Sequence, residues 1–237
     1  MEINQFYIAG KFITPDGKEV IELINPATEQ KVGHVMSGSE KDVNDAVTAA
    51  QHAFQDASAL SIEQKKIILQ EIIEGMDKRR DEFAQIISEE MGAPIKVARG
   101  AQFSSGKVHF ANTLKVIDDF SFSEVHDNIT LNKLPIGPVG MITPWNWPLN
   151  QMCTKIASAI AAGTSFVLKP SEITPGAAQL FAEVVDKTSM PKGMFNLIHG
   201  YGATVGKAMS QHNGLEMISF TGSTRAGIDC LLYTSPS

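Results

Sequence analysis

From Pro135 onward one rhythm repeats: a short apolar strand, a tight turn, then an amphipathic helix. "GPVGMITP", "TSFVLKPS", "GMFNLIHG" and "LEMISFTGS" read as strands. "PLNQMCTKIASAIAAG", "TPGAAQLFAEVVDKTS" and "YGATVGKAMSQH" read as the helices between them. Pro148 near a first turn and Gly163 past a last one fit helix start and stop chemistry. Short apolar strands alternating with helices are the pattern of a parallel α/β sheet. Ligands of such sheets bind beyond the carboxyl ends of the strands. Four loops therefore become candidates for one site: Thr143–Asn146, Lys169–Glu172, Gly200–Gly206 and Thr221–Thr224.

Upstream the periods differ. "QFYIAGKFI" reads as strands around a Gly turn, and "EVIELINPATEQKVGHV" as strands broken at Asn25-Pro26. Ser39 with Asp42 caps a helix whose apolar residues Val43, Ala46, Val47, Ala50 and Phe54 share a face. Ser61 with Gln64 starts a long amphipathic pattern that ends at Gly92, and a third helix runs roughly from Ile95 to Ile117. The run "DKRRDE" reads as a solvated face, since both signs alternate. Around Asp127-Asn128 the pattern alternates again and reads as a hairpin that projects from the body.

The chain's 237 residues hold one large domain, or one and a half. A net charge of −6 without a basic stripe argues against nucleic-acid and membrane partners. The two cysteines, Cys153 and Cys230, form no CxxC, which argues against structural zinc and a disulfide scaffold. With no signal peptide and no apolar run of spanning length, a cytoplasmic location is expected.

The strand-end loops carry groups suited to a nucleotide. Gly200, Gly202 and Gly206 follow a strand and open a helix, where a diphosphate can approach the backbone; turn glycines without a ligand are the alternative. Lys169 can donate to ribose or phosphate and Glu172 can accept from ribose hydroxyls, a surface salt bridge being the alternative. A carboxylate there disfavours a 2′-phosphate, favouring NAD over NADP. Ser223 and Thr224 open a further helix, as an anion site or a plain cap. Asn146, between two tryptophan-proline pairs, could donate to an oxyanion or bond its own turn. Cys153 reads as a small core residue, and the six scattered histidines receive no chemistry.

Together "ITPWNWPL", "AAGTSFVLKPSEITP", "IHGYGATVG" and "ISFTGSTRAG", with the opening "NQFYIAGKFI" and "INPATEQKVG", resemble the NAD(P)-dependent aldehyde dehydrogenase superfamily from about residue 5 to 227. The resemblance implies a variant Rossmann sheet with flanking helices and an amino-terminal β-hairpin and helical segment. It also implies a projecting oligomerisation hairpin at 118–135 and, for the full-length protein, a homodimer or homotetramer. Carried over residue by residue, Asn146 resembles the amide that holds the substrate oxyanion. Ile142, Thr143, Pro144 and Trp145 resemble the coenzyme wall. Lys169, Ser171 and Glu172 resemble the adenosine-ribose contacts. Gly202 and Gly206 resemble the glycines beside adenine and diphosphate, and Phe220, Gly222 and Ser223 the turn and cap beneath the diphosphate.

The implied chemistry is oxidation of a small-molecule aldehyde to a carboxylic acid with NAD, NADP being possible. A cysteine thiolate attacks, hydride leaves to nicotinamide, and a glutamate-activated water hydrolyses the thioester. "PWNWP" with "KPSE" favours this hydrolytic branch over acyl-phosphate or acyl-CoA chemistry. The general-base glutamate and nucleophilic cysteine of the pattern are not among these residues, so the catalytic domain is expected to be absent. Residues 1–227 then form an incomplete coenzyme-binding domain and 228–237 a tail outside the family pattern. The alternative to an enzyme is accordingly an inactive coenzyme-binding fragment.

Overall fold

The structure, a computed structural model, describes residues 1–234. Two small β units come first. Strand β1 (Glu2–Ile3) pairs in parallel with β5 (Lys31–Ser37), which pairs antiparallel with β4 (Glu19–Ile24). Between β1 and β4 lies the hairpin of β2 (Phe6–Ile8) and β3 (Lys11–Ile13), which turns at Ala9-Gly10 with both residues at positive φ. Sequence reading finds this hairpin but not its place: β2 adds antiparallel to the main sheet, Tyr7 facing Leu197.

Helix α1 (Glu40–Ser58) starts at the expected capping box. Ser39 Oγ accepts from the Asp42 N–H and the Asp42 carboxylate accepts from the Ser39 N–H. Val43, Ala46, Val47 and Ala50 are buried as the period requires, whereas Phe54 stays half-exposed. The long pattern after Ser61 is two helices, α2 (Ile62–Lys78) and α3 (Arg80–Met91), broken at Arg79 (φ −113, ψ 18). The "DKRRDE" segment is therefore a joint and not only a solvated face. Arg79 clamps Glu82 and Glu183, each at 2.6 Å, and the Arg80 guanidinium lies 5.3 Å from the Phe103 ring centroid. The third helical stretch comprises α4 (Ile95–Val97), a π-helical turn at Ala98–Gln102, and α5 (Phe103–Val116). Strands β6 (Ser123–His126) and β7 (Ile129–Asn132) form the expected hairpin about Asp127, a two-stranded sheet of its own.

The repeating half then follows: β8 (Val139–Ile142), α6 (Pro148–Ala162), β9 (Phe166–Lys169), α7 (Gly176–Val185), β10 (Phe195–Leu197), a π-helical turn at Gly202–Gly206 with α8 (Lys207–Ser210), β11 (Met217–Phe220) and α9 (Thr224–Thr234). The main sheet runs β11-β8-β9-β10-β2-β3, and its first four strands are parallel. Helices cover both faces, as a parallel sheet demands. Phe166, Leu168, Phe195 and Leu197 point into a large core with α2, α3, α5, α6 and α7. Val167 and Ile198, one residue out of phase, point into a second core with α1 and Met209 of α8. Where α5 crosses α6, a Cβ on Gly106 would stand 2.8 Å from the Leu149 Cβ, so the two helix backbones meet on that glycine. Helix α9 continues through residues 228–234, where sequence reading expects the pattern to break.

Candidate functional site

Strands β8, β9 and β10 step outward in one direction, and β11 returns to the other side of β8. The connection reverses between β8 and β11, and loops diverging there open a crevice at the carboxyl ends. A cavity of about 720 Å³ occupies this place. Ile142 and Phe220, register partners at the last positions of β8 and β11, line it from the sheet. Glu172, Gly202 and Gly206 line it from the β9 and β10 loops. Arg225 and Asp229 line it from α9. Five of the thirteen sequence-predicted site residues thus share this cavity wall: Ile142, Glu172, Gly202, Gly206 and Phe220.

Lys169 lies beneath that wall. It is the last residue of β9, buried by the adjacent strands, and its ammonium donates to the Pro170 carbonyl at 3.0 Å and to Glu172 Oε2 at 3.1 Å. Burial holds its pKa below the ordinary lysine value. An ammonium carries three N–H donors, so one is left without a partner among the described residues. Ser171 closes the turn by accepting from the Thr174 N–H at 3.2 Å, which brings Glu172 back over Lys169. A buried donor beside a half-exposed carboxylate acceptor matches a vicinal diol. On β10's side His199 is fully buried, its Nε2 3.0 Å from Gln179 Oε1 and its ring edge-on to Phe6. Burial and the nearby Lys169 charge push His199 down to about 3, which keeps the ring neutral. Sequence reading gives this histidine no place; scattered spacing hides that strand adjacency sets it beside Lys169.

Gly202 and Gly206 differ from packing glycines. A Cβ on Gly202 would meet nothing within 4 Å, and one on Gly206 only Ile142 Cδ1 at 3.9 Å. Protein packing does not require glycine at either position; the space that they leave belongs to the cavity. Gly222, by contrast, is required by its neighbour, because a Cβ there would lie 2.5 Å from Phe220 Cζ. Ser223 accepts from the Ala226 N–H at 3.2 Å and so caps α9. The unpaired N–H groups of that first turn favour negative charge. Gly202→Val should therefore leave the melting temperature within about 2 °C of wild type, as at surface sites generally, and weaken binding of an adenine dinucleotide by roughly tenfold or more through lost space. Paired thermal melts and titration calorimetry check both halves.

The Asn146 loop stands apart from the cavity wall. Thr143 is buried and donates its N–H to the Lys169 carbonyl at 3.2 Å; Pro144 follows half-buried, and Trp145 is 51% exposed. Asn146 itself is exposed, and its side-chain amide has no hydrogen-bond partner among the described residues. Its carbonyl accepts from Gln102 Nε2 at 3.4 Å, tying the turn to the π-helical segment. Two residues on, Pro148 opens α6, whose N-terminal N–H groups add positive potential near the free amide. Cys153 is wholly buried in α6, and burial pushes its thiol pKa well up, so it is a core residue as expected. Sequence reading overlooks Lys155, half a turn further on, whose ammonium donates to Ser219 Oγ on β11 at 2.9 Å. Only the strand order, which sets β11 beside β8 and α6 above both, makes that pairing visible.

A parallel sheet with a glycine-lined crevice at its switch point defines a Rossmann-type α/β protein. The match is specific: the aldehyde dehydrogenase family model covers residues 12–231, and the chain belongs to that family. It is 42% identical over 227 residues to a 3-succinoylsemialdehyde-pyridine dehydrogenase of a Pseudomonas species, an alignment covering 95% of this chain and 48% of that protein. A crystal structure of aldehyde dehydrogenase from Bartonella henselae superposes with a TM-score of 0.96 at 43% identity, covering 99% of this chain and 50% of that one. A Pseudomonas syringae aldehyde dehydrogenase C mutant, solved with NAD+ and octanal, gives 0.96 and 43%, covering 98% and 48%. The chain thus spans about half the length of the relatives that it matches. Among the described residues no helix is long and apolar enough to cross a membrane.

Proposed function

We propose that this chain is the coenzyme-binding half of an NAD(P)+-dependent aldehyde dehydrogenase. In this reading Lys169 and Glu172 hold the adenosine ribose, with Ser171 shaping their turn. Gly202 and Gly206 admit the adenine and diphosphate. The Phe220–Gly222–Ser223 turn presents the α9 N-terminus to the diphosphate, and Ile142, Thr143, Pro144 and Trp145 form the wall toward nicotinamide. Asn146 donates its amide to the oxyanion formed when a thiolate adds to the aldehyde carbon. When bound, the coenzyme supplies the hydride acceptor. The observation that carries the reading is the cavity itself, with a buried Lys169 paired to the half-exposed Glu172 on one side and glycines that packing does not require. NAD is favoured over NADP because Glu172 would face a 2′-phosphate.

Neither thiol present suits the nucleophile. Cys153 is sealed in the core and Cys230 lines the nucleotide cleft on α9. The oxidation, through thiohemiacetal and thioester, is therefore assigned to a longer protein, and these 237 residues alone bind coenzyme without turnover. The coenzyme-binding domain is taken over residues 1–227, and the family match itself runs on to residue 231, within α9. The hairpin within 118–135 serves oligomerisation of the longer protein, a cytoplasmic homodimer or homotetramer. Its Val125, Ile129 and Leu131 are exposed, as an interface requires. The purified chain, given NAD+ and a panel of aldehydes, should show quenching of Trp145 and Trp147 fluorescence and no NADH. Steady NADH formation would overturn the non-catalytic assignment; absence of both quenching and calorimetric heat would overturn the coenzyme site.

A further inference from the structure

A second carboxylate reaches the nucleotide cleft from outside the Rossmann sheet. Glu19, the first residue of β4, lines the same cavity as Glu172, though it belongs to the three-stranded amino-terminal sheet. Its position follows from backbone contacts. Glu19 faces Ser37 in the β4–β5 register. The next residue, Gly38, donates its N–H to the His199 carbonyl at 2.8 Å. A Cβ on Gly200 would lie 3.0 Å from Ser37 Oγ, and Tyr201 packs against the small sheet's core. The start of β4 is thereby pinned to the loop after β10. Glu19 thus reaches, from beside the β10 loop, the cleft that Glu172 of the β9 loop and Arg225 and Asp229 of α9 also line.

The two carboxylates are not equivalent. Glu172 is answered by the Lys169 ammonium at 3.1 Å. The Glu19 carboxylate has no hydrogen-bond or ion-pair partner among the described residues. Glu19 therefore brings into the cleft a carboxylate that no described residue pairs, as Lys169 pairs Glu172. Two cationic side chains, Arg225 of α9 and Lys207 at the start of α8, line the same cavity.

We propose that Glu19 is a specificity-determining residue that selects against a 2′-phosphorylated adenosine, acting beside Glu172. It rests on the coenzyme reading above, which places the adenosine ribose at Lys169 and Glu172. A 2′-phosphate adds about two negative charges at that end of the ligand, so repulsion by an unpaired carboxylate falls on NADP+ and hardly on NAD+.

The test is calorimetric titration of the 237-residue chain with NAD+ and with NADP+, for wild type, Glu19→Gln, Glu19→Lys and Glu172→Gln. Glu19→Gln should leave NAD+ affinity within about twofold and tighten NADP+ by roughly two- to fivefold, the range of exposed charge pairs. Glu19→Lys should tighten NADP+ further, and the gain should shrink as salt is raised. Glu19 is exposed and its side chain makes no contact that folding needs, so matched melting curves are expected for both variants. An unchanged NADP+/NAD+ ratio in Glu19→Lys, while Glu172→Gln moves it, would overturn the Glu19 assignment and leave the coenzyme site standing. Failure of wild type to bind either nucleotide would overturn both.

Discussion

Lys169→Met is expected to separate binding from stability. The variant should melt no lower than wild type and should bind NAD+ roughly 10- to 100-fold more weakly, the equivalent of about 1.5–3 kcal/mol for a hydrogen bond from a charged donor. The asymmetry comes from burial. The ammonium lies in the sheet's upper edge, and burial opposes its charge. Methionine fills nearly the same volume without that desolvation penalty, and replacing buried charge by an apolar side chain is often neutral or stabilising. The partner left behind is not trapped, because the Glu172 side chain is 29% exposed and can hydrate. Nothing comparable compensates the ligand. It would lose the one donor that Lys169 keeps unpartnered, and Glu172 would lose the group that fixes its orientation. His199 would feel one charge fewer, yet its own burial still holds it neutral. Calorimetry beside a melting curve decides the matter: retained affinity would remove Lys169 from the site, and a collapsed melting transition would make it a structural residue.

Lys169 also shows what local pattern can reveal. "VLKP" is legible because an apolar run ends in a charged residue just before a proline, which fixes the strand end in sequence. The caps at Ser39 and Ser61 are legible for the same reason, since each is closed by a partner three residues on. What escapes is whatever depends on partners far along the chain. The long pattern from Ser61 to Gly92 keeps its apolar period across Arg79, where the helix breaks and the side chain reaches Glu183, 104 residues away. The π-helical turns at Ala98–Gln102 and Gly202–Gly206 leave hydrophobic period nearly unchanged, so no pattern announces them. The β2–β3 hairpin shows its turn in sequence and conceals its neighbour, because antiparallel addition at β10 is decided by Tyr7 and Leu197 packing. Of the site, the sequence reveals the residues on each strand's end. Glu19 comes from a different sheet, and Arg225 and Asp229 from the helix after the last strand, so only the assembled topology brings them to the cleft.

The second large effect is on stability and concerns a group with no part in the proposed chemistry. Glu90, near the end of α3, is buried and accepts the Gly176 N–H with both carboxyl oxygens at 3.0 Å. It thereby caps α7, whose own cap position is Pro175 and makes no side-chain cap. Burial outweighs that hydrogen bond and the nearby amino terminus, and pushes Glu90 up to about 8 from an ordinary value of 4.5. The folded state then holds a proton that the unfolded state has released. Stability from this group is complete below about pH 4.5, falls by up to about 1.4 kcal/mol per pH unit above it, and is gone beyond pH 8. His199 and His109 act in the opposite sense, since burial depresses both below 6.5 and their contributions grow until that pH is reached. Above about pH 7.5 both histidines are nearly all neutral in either state, and the Glu90 slope is no longer opposed by them. Glu90→Gln keeps an acceptor for the Gly176 N–H and removes the titration. It should match wild type near pH 5, exceed it at pH 8, and show a flatter stability curve between. Urea unfolding of both proteins at half-unit steps from pH 5 to 9 reads the difference directly. Parallel curves would mean that Glu90 ionises at an ordinary value inside the fold, with the α7 N-terminus stabilising its charge more than burial opposes it.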